Sequence, residues 1–217
     1  MFVQDFKSYS VIYSLLDFFP GLKHRIPVRE KVLFLTFDDG PVPEATPEVL
    51  QLLKKFNAEA TFFCIGDNVT KYKEIYQKII EEGHTTGNHT FHHLNGWKYS
   101  KASYLENTVL CQQAMQSMNS SLKNFFRPPY GRMRVSQYFA LKKDYKIILW
   151  DVLTRDWEKD RSASACFERI KRKARPGSII VFHDSIKAKE RMLPALEMTL
   201  NHYSALGFRF SSLDKYA

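Results

Sequence analysis

Leu35-Thr36-Phe37-Asp38-Asp39-Gly40-Pro41 ends an apolar run that begins at Val32. The run is short and rich in strand formers, so it reads as a buried strand over 32–38. Gly40-Pro41 stops it, because glycine supplies the turn and proline lacks the N–H that a ladder needs. Two carboxylates therefore stand at the C-terminal tip of a core strand. Side by side they repel, and one is pushed towards protonation. A cation relieves that, as does a division into metal ligand and base. The alternative is a pair of solvated carboxylates opening a loop, since Asp-Asp-Gly is a common turn.

Outward from this stretch, strand and helix patterns alternate. Strands are expected at 32–38, 60–66, 85–89, 124–128, 145–152, 178–183 and 208–213. Helices are expected at 46–56, 67–82, 100–118, 135–143, 162–173 and 189–205. Thr46 reads as a helix cap with Pro47 in the first turn, and Gly83 and Gly207 as helix stops. Alternating β and α elements imply an α/β fold with a parallel sheet, closed into a barrel or open and doubly wound. No Gly-x-Gly-x-x-Gly or phosphate-binding loop follows a strand, which argues against a nucleotide fold. Residues 1–30 read as an N-terminal extension, in which Ile12, Leu15, Leu16 and Phe19 share one helical face and Pro20-Gly21 ends the helix. Residues 31–217 read as one further domain, the catalytic one by the resemblance given below.

The 217 residues are enough for one sizeable core, and 44% hydrophobic with 25% charged is ordinary globular composition. A net charge of +9 favours polyanionic neighbours. The densest basic cluster, Arg169 to Arg175, ends a helix where cations suit the dipole. It carries no nucleic-acid motif, so nucleic acid is not the expected partner. Cys64, Cys111 and Cys166 are odd in number and far apart, against a disulfide framework or a cysteine zinc site. Cys64 reads as a buried small hydrophobe. No apolar stretch is long enough to span a bilayer. Asp5, Lys7 and Asp17 interrupt the N-terminal apolar residues, so no signal peptide is read. Location stays open: the N-terminal residues read as cytoplasmic, and a cell-wall substrate would demand the cell envelope. The sequence leaves oligomeric state open.

Polar groups gather at the expected strand ends. After Asp38-Asp39 come His89-Thr90-Phe91-His92-His93, Arg127-Pro128-Pro129-Tyr130-Gly131, Asp151 to Asp156-Trp157, and His183-Asp184. His89 and His93 are spaced i, i+4, which on a helical turn puts both imidazoles on one side and leaves His92 a spectator. Taken singly, each has a plain structural reading: His183 as a satisfied core histidine, Trp150 as core, Asp151 and Asp184 as loop caps. Their conjunction is hard to reach by accident. One Asp and two His make a catalytic zinc set with a position left for water.

Thr36-Phe37-Asp38-Asp39-Gly40-Pro41, His89-Thr90-x-x-His93, Arg127-Pro128-Pro129-Tyr130, Asp156-Trp157 and Ile179-x-Val181-x-His183 together resemble the five ordered motifs of the polysaccharide deacetylases. The family includes chitooligosaccharide deacetylases and peptidoglycan N-acetylglucosamine deacetylases. The resemblance runs from about Val32 to Leu213. It departs at Leu153, where the family usually carries Asp, and at Ile179 and Val181, where it usually carries Leu. It implies a distorted, incomplete (β/α) barrel of about seven parallel strands, and removal of N-acetyl groups from an aminosugar polymer or oligomer. O-acetyl esterase action on xylan-like glycans and non-catalytic glycan binding are the alternatives. By the resemblance, Asp39, His89 and His93 hold Zn2+, or another divalent metal such as Co2+ or Ni2+. Asp38 is the general base, oriented by Arg127. The Tyr130 N–H helps hold the oxyanion. His183 is the acid, its proton retained by Asp156. Trp157, Ile179 and Val181 form the apolar wall and acetyl pocket. Trp97 and Tyr99, after the His pair, are candidates to stack on sugar rings, with surface packing as the alternative.

Overall fold

The structure, a computed structural model, describes residues 22–216. The expected N-terminal helix over Ile12 to Phe19 lies outside the described residues. The strands are β1 (Leu22–Lys23), β2 (Val32–Asp38), β3 (Ala60–Cys64), β4 (Thr85–Asn88), β5 (Phe125–Phe126), β6 (Lys146–Ile148), β7 (Val152–Leu153), β8 (Ile179–His183) and β9 (Arg209–Phe210). The helices are α1 (Thr46–Lys55), α2 (Gly66–Lys71), α3 (Lys73–Glu81), α4 (Lys101–Gln116), α5 (Val135–Leu141), α6 (Ala163–Lys173) and α7 (Lys189–Ala205). Every pairing between these strands is parallel. The order β1-β6-β5-β4-β3-β2-β8-β7 curls into a distorted, incomplete barrel, with β9 added to the start of β2.

The central strand β2 is buried along its whole length. Its outer face is wholly apolar, as packing against a helical layer requires, and its inner face is apolar at Val32 and Phe34 and turns polar at Thr36 and Asp38. Leu33, Leu35 and Phe37 point outward with Ile180 and Phe182 of β8, against Val49 and Leu53 of α1 and Met192 and Leu196 of α7. Phe37 stacks between Phe62 and Phe182, with ring centroids at 4.9 Å and 5.7 Å. Burying one such ring contributes about 1.5–3 kcal/mol. Phe34 points the other way, into an interior cluster with Phe63, Ile148 and Ile179. The same alternation puts Asp38 and His183, register partners on β2 and β8, on the interior side at the C-terminal tips.

Several elements differ from expectation. The strand expected at 145–152 is two strands, because the chain leaves β6 beside β5 and crosses the barrel to join β8 as β7. The helix expected at 67–82 breaks at Tyr72, whose φ of −119° and ψ of 52° are not helical. Thr46 is the first helical residue rather than the cap, and its hydroxyl is taken by Asp184 at 2.6 Å. Gly83 and Gly207 do stop α3 and α7, at φ 83° and 75°. Residues 22–28 pack onto the sheet: β1 pairs with β6, and the Ile26 N–H donates to the Gly177 carbonyl at 2.9 Å. All three cysteines are free and buried. Among the described residues no helix is long and apolar enough to cross a membrane.

Candidate active site

The C-terminal tips of β2, β4 and β5 bring Asp38, Asp39, His89, His93 and Arg127 together. Arg127 follows β5 and turns inward, fully buried. Its guanidinium donates to Asp38 Oδ1 at 2.6 Å, to Thr36 Oγ1 at 2.8 Å, and to the carbonyls of Ile148 and Leu149 at 3.2 Å and 3.1 Å. The Phe63 ring lies 4.0 Å from it and the Trp150 ring 5.7 Å. A buried guanidinium is tolerable because its donors are met and its charge is paired. Burial pulls it below its usual value, and Asp38 pulls it back up.

Asp39 sits on the next residue at φ 83°. Its Oδ1 is 3.2 Å from His93 Nε2 and 3.7 Å from His89 Nε2. One ligand atom from each of the three residues lies within 4.8 Å of the others. Oδ1 is buried yet meets no donor in hydrogen-bonding geometry. A carboxylate oxygen so placed, facing two imidazole nitrogens, is what a divalent cation satisfies. The fit extends outward. His89 Nδ1 lies 2.7 Å from the Arg127 carbonyl, so Nδ1 carries the hydrogen and Nε2 presents its lone pair inward. Burial holds His89 neutral, its pKa lowered to about 4. Burial pushes Asp39 up, but contact with His93 and the imidazoles of His183 and His89 hold it well below the usual carboxylate range.

The His89–His93 turn is not helical, contrary to the sequence reading. Thr90 and His93 adopt φ 63° and 52°. Asn107 of α4 accepts from the N–H groups of Phe91 and His92 at 2.9 Å and 3.0 Å, and Asn88 accepts from Thr90 N–H at 2.9 Å. These hydrogen bonds hold the left-handed residues in place. His92 is exposed, edge-on to Phe91.

His183, at the tip of β8, faces Asp156. Its ring Nδ1 lies 2.8 Å from Asp156 Oδ1, and its backbone N–H donates to Oδ2 at 2.8 Å. Burial lowers the imidazole pKa, but the fully buried Asp156 outweighs it and lifts the ring to about 9. Trp157 lies edge-on to the His183 ring at 4.7 Å. Val181 and Ile179 line the same face of β8 below His183; Ile179 reaches down into the interior apolar cluster. Tyr130, at φ 60°, is 59% exposed with its ring 4.6 Å from that of His93. Trp97 lies apart, its indole N–H donating to the Met133 carbonyl at 3.2 Å and its ring under Arg132 at 4.8 Å. Tyr99 is exposed beside it.

Three supporting residues escaped the sequence reading of roles. Asp184 is fully buried, not a loop cap. It accepts from Gly40 N–H at 3.1 Å and from the Thr46 hydroxyl, while its own N–H donates to the Asp38 carbonyl at 3.1 Å. Asn68 of α2 donates to the Asp39 carbonyl at 2.8 Å. Asp151 accepts from Ser178 and Ile179 and braces the start of β8. Among the described residues, five of the six non-glycine residues with positive φ, namely Asp39, Thr90, His93, Tyr130 and Arg155, belong to these strand-end loops; backbone strain concentrates at functional sites.

An α/β barrel with an Asp-His-His set and a His-Asp pair at its strand tips defines a class of hydrolytic architecture, and the comparisons give it a family. The family model described as polysaccharide deacetylase matches residues 25–146. The chain is 34% identical over 79% of its length to a Bacillus cereus peptidoglycan-N-acetylglucosamine deacetylase, and spans 65% of that relative. It is 34% identical over 78% of its length to a chitooligosaccharide deacetylase of Azorhizobium caulinodans, of which it spans 81%. The crystal structure of the Bc1960 peptidoglycan N-acetylglucosamine deacetylase with 4-naphthalen-1-yl-N-oxidanyl-benzamide superposes with a TM-score of 0.86 at 31% identity, covering 94% of this chain and 95% of that one. The chain belongs to the polysaccharide deacetylase family.

Proposed function

We propose that the protein is a metal-dependent hydrolase that removes N-acetyl groups from an aminosugar polymer or oligomer of the peptidoglycan or chitin type. The observation that carries the reading is the division of labour between neighbours: Asp38 is held by Arg127, whereas the partnerless Asp39 Oδ1 faces two imidazoles. Asp39, His89 and His93 would hold the cation, and zinc suits two imidazoles with one carboxylate. When bound, that ion polarises the acetyl carbonyl and acidifies a water.

Asp38 takes the proton of the attacking water, and Arg127 aims its carboxylate. The Tyr130 N–H donates to the oxyanion. His183, whose charged form the Asp156 carboxylate favours, gives its proton to the departing amine. Trp157 and Val181, with Ile179 beneath, exclude water around the acetyl methyl. A glycosidase is disfavoured, because two carboxylates on adjacent residues cannot flank a scissile bond from opposite sides.

The test is acetate release. The zinc-loaded protein is incubated with chitooligosaccharides, peptidoglycan fragments and acetylated xylan. Release from the aminosugar substrates is expected. Release from xylan alone would make it an O-acetyl esterase, and release from none would leave a glycan-binding module.

A further inference from the structure

Beyond Trp157 from His183 lies a second cleft of about 750 Å³. It is formed by the loop after β7 and the loop after β8, so it opens on the same barrel face as the cluster. Trp157 is the shared wall: its edge meets the His183 ring, and it also lines the cleft. Four cations line the cleft, Arg155, Lys159, Arg161 and Lys187, against two carboxylates, Glu158 and Asp160. Glu158 pairs with both arginines. That bridge fixes the loop, and Arg155 is held at φ 63° within it. Lys159 and Lys187 are exposed, and neither forms an ion pair among the described residues. The capped N-terminus of α6, at Ser162, opens into the same cleft and adds the positive end of a helix. Nothing in acetyl transfer to water requires this charge, since the reacting amide is neutral.

We infer that the cleft beyond Trp157 receives a carboxylate substituent of the glycan strand, with Lys159 and Lys187 as its direct contacts, and so selects acidic aminosugar strands over neutral ones. The inference rests on the deacetylase reading and names its substrate class. A sugar with its acetamide beneath His183 extends across Trp157, and a carboxylate on that ring or the next falls among the lysines. Compact, hydrated ammonium groups bind such an anion by charge with little demand on geometry. The resulting preference is salt-sensitive.

The experiment compares the full chain with a Lys159→Gln/Lys187→Gln variant, both zinc-loaded. Substrates of equal length are a neutral N-acetylglucosamine oligomer, a fragment alternating N-acetylglucosamine with N-acetylmuramic acid, and that fragment with its carboxylates amidated. The expected result is a roughly 5- to 20-fold rise in KM for the carboxylated fragment alone, with kcat kept, as two exposed charge contacts give. The neutral and amidated substrates change less than twofold, and 0.5 M salt abolishes the difference. Equal change on all three, or none, overturns the inference. A phosphate-bearing oligomer forms a further arm: a larger wild-type preference for it, lost in the variant, overturns the carboxylate assignment in favour of phosphate. If the wild type hydrolyses nothing, the deacetylase reading fails by itself. Calorimetric binding of the carboxylated fragment then decides the cleft, and equal affinity of variant and wild type overturns it.

Discussion

The Asp156 carboxylate grips His183 twice, one oxygen 2.8 Å from ring Nδ1 and the other 2.8 Å from the backbone N–H. The ring is thereby fixed in rotation, and its charged form is favoured. The residue stands at the tip of a strand that is otherwise core, next to Phe182.

That pairing makes a titration. A base whose folded pKa lies near 9, above its unfolded value of 6.5, adds stability that is fully present below pH 6.5 and lost as pH rises through 9. In the metal-free protein, NMR should find His183 protonated at pH 7, and Asp156→Asn should lower its pKa. In the loaded enzyme the same substitution should move the alkaline limb of the pH–rate profile to lower pH. His183→Ala should cripple release from an N-acetylglucosamine oligomer but largely spare p-nitrophenyl acetate, if the wild type cleaves it, because that leaving group needs no proton. Equal loss on both at unchanged melting temperature would remove the acid role.

Asp39→Ala, His89→Ala and His93→Ala should each lose bound zinc and acetate release together. His92→Ala should keep both, since His92 is exposed and lies off the cluster. Elemental analysis decides; full zinc in His93→Ala would strike it from the ligand set.

Asp38→Asn should keep its zinc and lose most turnover. An amide cannot accept the water's proton, and general-base catalysis is worth roughly 10²–10⁴ in rate. Near wild-type turnover in a zinc-replete variant would place the base elsewhere.

Gly40→Ala probes the brace behind the carboxylates. A Cβ there would stand 2.0 Å from Asp184 Oδ2, which is buried and cannot retreat. Overpacking of this kind costs about 1–3 kcal/mol, or roughly 2–10 °C in melting temperature for a chain this size. Thermal denaturation unchanged by Gly40→Ala would mean that the Gly40–Asp184 contact bears no weight.

Much of this was legible in the residues. The apolar run to Asp38 marked β2 to the residue, because the strand is buried along its whole length and Gly40-Pro41 follows its end at once. The spacing of His89 and His93 was legible too, but not their backbone. Thr90 and His93 are held left-handed by Asn88 and Asn107, and nothing local in the sequence announces a partner on another helix. The run Ile147-Ile148-Leu149-Trp150 reads as continuous strand, whereas the break after Ile148 follows from which neighbours the chain must reach. Asp184 looked like a loop cap because its partners, Gly40 and Thr46, lie 144 and 138 residues away. Short-range pattern carries the elements, and long-range polar contacts carry the bracing.

Arg127 does two things at once. The guanidinium that aims Asp38 also caps the carbonyls of Ile148 and Leu149, where the chain crosses from β6 towards β7. The crossing from β6 towards β7 and the carboxylate proposed as general base thus share a single cation. On that reading a molecule whose crossing has loosened loses the aim of Asp38, and a drift in catalytic rate during mild denaturation would trace the loosening before any global signal moved.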